Sequence, residues 1–275
     1  MNYYIALMLL IALVFLVTLL YWLYLYLVTD GRYHLYKKLP FPARYKDLLL
    51  RYFPLYAKLP RDLKPNFHAC ILTFLKEKEF KGVQVEIDET KKLLVAANAC
   101  LLSMGLNRCA YKHVKTIILY PETIVKKERI QQGYVVSEEL QELLGEAWQS
   151  GAVVLSWRDL LAGDLNPNDG KNVGLHEFAH QLDMEDGIAD GTPELPLKLY
   201  PIWSKVMKKE YDHIKRLYEK GKRSVLDRYA ITNAAEFFAV ATEVFFEKPK
   251  KLKKAEPELY ELLRSYYHLD PASWG

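Results

Sequence analysis

Residues 172–184 read Asn172-Val-Gly-Leu-His176-Glu177-Phe-Ala-His180-Gln-Leu-Asp183-Met184. The stretch carries His-Glu-x-x-His, the pattern by which metal-dependent peptidases hold zinc beside a general base. The spacing has a geometric reason. On a helix, positions four apart share one face about 6 Å along the axis, so two imidazoles can converge on one ion. Glu177 follows the first His directly and points to the side of that face, where it can reach a water without coordinating. A solvated surface helix could carry the same residues, but Leu175, Phe178, Ala179 and Leu182 fill the positions between them. Most of this helix therefore requires burial, and its two His and acid require something that satisfies them. A metal does so.

A catalytic zinc usually takes three protein ligands and leaves a fourth position for water or substrate. Asp183 lies on the same helix but about 10 Å from His176 along the axis, too far for one ion to meet all three. It is placed behind the ligands instead. Glu185, Asp186, Asp190 and Glu194 fall among Gly187, Gly191, Pro193 and Pro196, a loop-like setting that argues against rigid positioning. The best third ligand is Glu236, in Asn233-Ala-Ala-Glu236-Phe-Phe-Ala-Val-Ala-Thr-Glu243-Val-Phe-Phe246. This segment predicts an apolar helix capped by Thr232 or Asn233. Glu236 and Glu243 are seven apart and so share a face. Carboxylates there are costly unless bonded. Glu236 as ligand and Glu243 behind a ligand imidazole meet that need; pairing with Arg or Lys from elsewhere would also meet it.

The block Asn172–Asp183, the preceding Gly145-Glu-Ala-Trp148, Gly151 and Val154-Leu-Ser-Trp157, and the later Asp227-Arg-Tyr229-Ala with Ala235-Glu236-Phe-Phe-Ala-Val240 resemble the Mlc titration factor A family over roughly residues 60–270. The resemblance implies a zincin-type domain, a zinc-dependent peptidase activity, His176, His180 and Glu236 as ligands of one Zn2+, and Glu177 as general base. It also implies a transcriptional regulator as a possible partner. The chain is similar, too, to the catalytic domain of anthrax lethal factor, in which a Tyr precedes the glutamate ligand by seven residues. Tyr229 stands seven before Glu236. By that likeness its phenol would donate to the oxyanion of a tetrahedral intermediate; an ordinary packing role fits the sequence as well.

The first 28 residues carry no charged side chain, and Tyr3–Val28 is an apolar run broken only by Thr18 and the Tyr positions. About 20 residues cross a bilayer, so residues 3–28 predict a membrane anchor rather than a cleaved signal, which would be shorter and follow a basic residue. Trp22, Tyr24 and Tyr26 near one end and Tyr3 and Tyr4 near the other suit the interfaces. Arg32, Lys37, Lys38, Arg44, Lys46 and Arg51 follow the run and nothing basic precedes it. Positive residues stay cytoplasmic, which places the amino end outside and the following domain inside; the family resemblance implies a bacterial inner membrane. Well-known family members lack such an anchor.

The expected organisation is an anchor at 1–29, a juxtamembrane linker and first helix at 30–59, and a zincin-like catalytic domain at 60–275. Residues 30–42 read as a Pro-punctuated linker. Helices are expected at Ala43–Phe53, Asn66–Glu79, Lys91–Met104 (capped by Asp88), Pro201–Lys220 and Pro257–Tyr267. Strands are expected at Val83–Ile87, Lys115–Tyr120 and Ala152–Trp157, and Leu160–Lys171 is expected as a loop bordering the cleft. The result is an α+β fold with a small mixed sheet on the metal helix and a helical C-terminal part. Val154, Leu155, Ser156 and Trp157 form the strand expected to pair with an extended peptide substrate.

Cys70, Cys100 and Cys109 are an odd set without metal spacing and give no disulfide framework. A net charge of +4 gives no case for nucleic acid. The Lys248–Lys254 run is a solvated turn that anionic lipid could also meet. His34, His68, His113, His213 and His268 read as ordinary structural or surface residues. Two functions of different class follow: hydrolysis of peptide bonds through Glu177, with Asp186, Asp190 and Glu194 able to receive a free amino terminus, or capture of a regulatory protein by a zinc-containing domain.

Overall fold

The computed structural model describes residues 2–106, 111–121 and 151–274. The Gly145–Trp148 portion of the resemblance and Cys109 lie outside them. Helix α1 (Asn2–Tyr36) is apolar through Tyr3–Tyr24, and none of that window is buried. It is long and apolar enough to cross a membrane. The helix runs on to Tyr36, so the non-helical link before α2 (Ala43–Tyr52) is shorter than the Pro residues suggested. That link is also docked. Tyr33 and Phe41 are buried, and the Phe41 ring stacks on His68 at 3.9 Å between centroids, 4° from parallel. His68 in turn meets the Tyr56 hydroxyl at 2.8 Å. Burial, with Lys46 and Lys64 nearby, lowers its pKa to about 4, so the stacked ring is neutral.

Beyond α3 (Leu55–Lys58), α4 (Lys64–Glu77) leads into β1 (Glu79–Gly82), then α5 (Glu89–Ser103), β2 (Thr116–Tyr120) and β3 (Ala152–Ser156). The sheet order is β1-β2-β3 and all three strands run parallel, because α5 carries the chain back between β1 and β2. The strand expected at Val83–Ile87 is displaced to Glu79–Gly82. A side chain at Gly82 would fall 1.9 Å from the Val85 carbonyl oxygen, and Gln84 has φ +56°, so the chain turns back sharply there. Val83, Val85 and Ile87, each half-buried, do alternate with exposed residues, but after the Val83 amide bonds Leu119 O of β2 at 2.8 Å the segment continues as a loop lying on the core. Asp88 caps α5 as expected, accepting from the Lys91 amide.

The loop expected at Leu160–Lys171 begins as a helix, α6 (Trp157–Leu165), capped by Ser156. Gly163 suggested a loop, yet its role is close approach: a Cβ there would lie 3.0 Å from Asn172 Cα. The motif forms α7 (Val173–Asp183), and α8 (Tyr200–Glu219), α9 (Ala234–Glu247), α10 (Pro249–Ala255) and α11 (Pro257–Tyr267) follow. The core gathers around α5, buried from Leu93 to Ser103, with α4 and α7 packed on it and α9 packed on α7. β3 also touches α7, so the sheet supports the motif helix as an α+β layout requires. Leu49, Phe53, Leu55 and Tyr56 belong to this same core.

Candidate metal centre and active site

Two helices build the site, and each starts on an Asn. Asn172 accepts from the Leu175 amide at the head of α7, and Asn233 accepts from the Glu236 amide at the head of α9. Such caps satisfy amides that have no partner within the helix and fix where its first turn begins. Gly174 lets α7 sit tightly on α5, since a Cβ there would stand 2.4 Å from Asn98 Cγ. Helix α7 turns Leu175, Phe178, Ala179 and Leu182 into the core and leaves His176, Glu177 and His180 half-buried, the two His facing α9.

Glu236 comes from the first turn of α9 to meet them. Its Oε2 lies 3.0 Å from His176 Nε2 and 3.3 Å from His180 Nε2, and the two Nε2 atoms are 3.2 Å apart. Two ligand atoms on a tetrahedral zinc at about 2.0–2.1 Å stand about 3.3 Å apart, so this triangle has the right edge length. Its chemistry agrees. Glu243 Oε1 is 2.7 Å from His176 Nδ1 and receives that proton, which leaves Nε2 with a lone pair. Two imidazole nitrogens and a carboxylate then converge with no donor of their own to share, and a cation answers that. Protons are the other answer. Burial opposes a charge on His176, but its bonds to Glu236 and Glu243 outweigh this and push its pKa up to about 10. Burial likewise opposes charge on Glu236, and the two imidazoles pull it well below the usual carboxylate range.

Among the described residues no hydrogen bond holds the half-buried Glu177 carboxylate, which adjoins the triangle and stays available to water. Tyr229 stands beside the site on a 3-10 turn, Arg228–Ile231, that Asp227 caps. Its hydroxyl donates to Glu236 Oε1 at 3.0 Å while the residue remains 45% exposed. Tyr229 is therefore not a buried packing aromatic.

Other candidates have different duties. Asp183 does not touch either imidazole. Its Oδ2 accepts from the Gly191 amide at 2.9 Å, and burial raises its pKa to about 6. Gly191 (φ +82°) also receives Trp203 Nε1 on its carbonyl and lies against Ala234, so the Gly-Pro stretch is pinned to the start of α9 rather than loose. Asp186 and Asp190 accept from the Ile188 and Thr192 amides and close local turns. In the expected substrate strand, Leu155 and Ser156 are buried and Trp157 already belongs to α6, whereas Val154 is half-buried. What β3 offers a peptide is its backbone, on the edge of the described sheet.

The sequence reading missed the layer beneath. Glu247 Oε2 accepts from the Gly170 and Lys171 amides at 2.9 and 3.1 Å, and Glu243 Oε2 accepts from Asn172 N at 2.5 Å. On the far side, Asp164 Oδ1 receives Asn98 Nδ2 at 2.9 Å and Asn172 Nδ2 at 3.2 Å. Burial pushes the Asp164 and Glu247 carboxyls up to about 8, against the hydrogen bonds they accept.

Comparison with known proteins identifies the family. The family model of glucose-regulated metallo-peptidase M90 matches residues 29–268. An uncharacterised protein of Synechocystis sp. is 39% identical over 238 residues, covering 84% of this chain and 86% of its own length. Mlc titration factor A of Salmonella arizonae is 31% identical over 229 residues, covering 80% and 88%, and that of Salmonella agona 30% over 227, covering 80% and 84%. With a family match across most of its length and a cluster of His176, His180 and Glu236 able to hold a metal ion, the chain belongs to the M90 metallopeptidases.

Proposed function

We propose that the chain is a membrane-anchored zinc metallopeptidase that hydrolyses peptide bonds on the cytoplasmic face of a membrane. The observation that carries this reading is the near-equilateral triangle of His176, His180 and Glu236 ligand atoms, with Glu177 next to His176 in the sequence and held by no hydrogen bond among the described residues. When bound, zinc would supply Lewis acidity, polarising a peptide carbonyl and making water a nucleophile near neutral pH. Glu177 takes the proton from the attacking water and delivers it to the departing amine. Tyr229, exposed beside Glu236, turns its hydroxyl to the oxyanion that develops on the former carbonyl. Glu243 keeps the His176 proton on Nδ1. An extended substrate lies along the backbone of β3 by strand addition.

The anchor is α1, residues 3–28, with the basic residues that follow it on the cytoplasmic side. Asp186, Asp190 and Glu194 are exposed after the motif helix, and an unblocked amino terminus would share the first two with the turns they close, so free and end-blocked peptides are assayed side by side. Glu177→Gln should retain stoichiometric zinc by metal analysis and lose hydrolysis of a peptide library by at least about 100-fold. Substantial turnover in that variant would sink the mechanism.

A second reading rests on the relatives named Mlc titration factor A. In it the domain captures a transcriptional regulator at the membrane and uses zinc for shape. A regulator retained equally by wild type and Glu177→Gln, with no cleavage by either, would select this reading. A site closed for structure alone normally takes four protein ligands, and the three here favour catalysis.

A further inference from the structure

We propose that Glu247 is a positioning residue for the metal site, fixing the strand of backbone from which the motif helix springs. The inference rests on the zinc reading above. Glu236, Glu243 and Glu247 stand at i, i+7 and i+11 of α9, which is one stripe of that helix. All three face α7 and the turn before it. Glu236 meets both imidazoles. Glu243 divides its two oxygens between His176 Nδ1 and the Asn172 amide. Glu247 takes the two amides before that on one oxygen, Gly170 alone at 2.9 Å and Lys171 at 3.1 Å in a bond shared with Asp169 Oδ1 at 2.9 Å. Three consecutive backbone N–H groups are thus held by two carboxylates of the helix that supplies the third ligand.

The placement of Glu247 would be unfavourable without this duty. It is 3% exposed and it is the last residue of α9, where the helix dipole disfavours a negative group. A buried carboxyl there needs donors, and the Gly170 turn provides them. Gly170 has φ +73°, a left-handed conformation that presents its amide and the next one to the same oxygen. The grip matters for His176 because Asn172 immediately follows. That residue caps α7 with its side chain, its carbonyl accepts from the His176 amide, and its own amide is held by Glu243. A shift of the turn would carry the head of α7, and His176 with it, away from Glu236. Ligand atoms from α7 and α9 keep their spacing because one helix holds both.

The test uses the full chain in detergent, as wild type, Glu247→Ala, Glu247→Gln, Leu262→Ala and His176→Ala. Zinc affinity and amide hydrogen exchange of the peptide spanning Gly170–Asn172 are measured for each. Glu247→Ala should weaken zinc binding by about 10- to 100-fold and speed exchange of those amides at least about tenfold. Glu247→Gln keeps an acceptor oxygen and should restore both to within about threefold of wild type. Leu262→Ala, a core variant on α11, controls for general loosening and should leave zinc affinity unchanged. Wild-type affinity in Glu247→Ala, or equal loss in Leu262→Ala, overturns the positioning role while the zinc site stands. Failure of the wild type to bind zinc, or undiminished binding by His176→Ala, overturns the underlying reading and this inference with it.

Discussion

Tyr229 is the residue whose position adds most to its sequence reading. Its hydroxyl donates to Glu236 Oε1 at 3.0 Å, its ring centroid lies 6.0 Å from that of His176, and the residue is otherwise largely outside the core. Tyr229→Phe should lower kcat by about 100-fold with little change in KM or zinc content, the signature of a donor used in the transition state. An unchanged kcat would reduce Tyr229 to a partner of Glu236. At this scale His176, Glu177, His180 and Glu236 were legible because each obeys a local rule: two His four apart on a helix, an acid directly after the first, and acids seven apart in an otherwise apolar helix. Asn98, Asp164 and Glu247 were not. Apart from the Asn98–Leu94 and Asp164–Asn172 bonds, their partners lie 66 or more residues away, and a buried polar group bonded across such a distance leaves no periodic trace in the sequence.

At the scale of elements, capping and amphipathic spacing located α5, α8, α9 and α11 to within a few residues, and Asp88 and Asn233 cap as their chemistry requires. Alternation misplaced β1, since only Val83 of the 83–87 segment bonds β2, at Leu119 O, before the chain turns back, and a glycine needed for close approach made α6 resemble a loop. The junction of α5, α6 and α7 has its own testable consequence. Asp164 is buried there, its Oδ2 and Asn98 Oδ1 lack donors among the described residues, and burial raises its pKa to about 8. A carboxyl raised on folding contributes stability that is fully present below its unfolded pKa and is lost as pH rises through the folded value. From about pH 4 to 8 the folded chain holds a proton there that the unfolded chain has released, and stability should fall by at most about 1.4 kcal/mol per pH unit from this group. Asp164→Asn removes that titration, so its unfolding midpoint in denaturant should gain on wild type between pH 5 and 8. A constant gap across that range would show that Asp164 is ionised in the fold.

The whole molecule joins an unburied apolar helix to a packed body through residues that belong to the body. Tyr33 and Phe41 are buried, and Phe41 is stacked on a neutral His68. A chain beginning at Gly31 should therefore fold with the full stability of the body. One beginning at Ala43 sheds both aromatics, each worth about 1.5–3 kcal/mol when fully buried, and should melt about 5–10 °C lower. Equal melting temperatures would mean that the 33–41 segment merely rests on the surface.

That docked segment also sets a leash. Only residues 37–42 separate the end of α1 from α2, and six residues extend to about 20 Å at most. If α1 is inserted in a bilayer, the catalytic centre patrols a thin shell above the lipid instead of the bulk solution. Encounters are then governed by how often a substrate enters that shell. A peptide already held at the same surface meets this enzyme at a high local concentration, and an equally cleavable peptide free in solution does not.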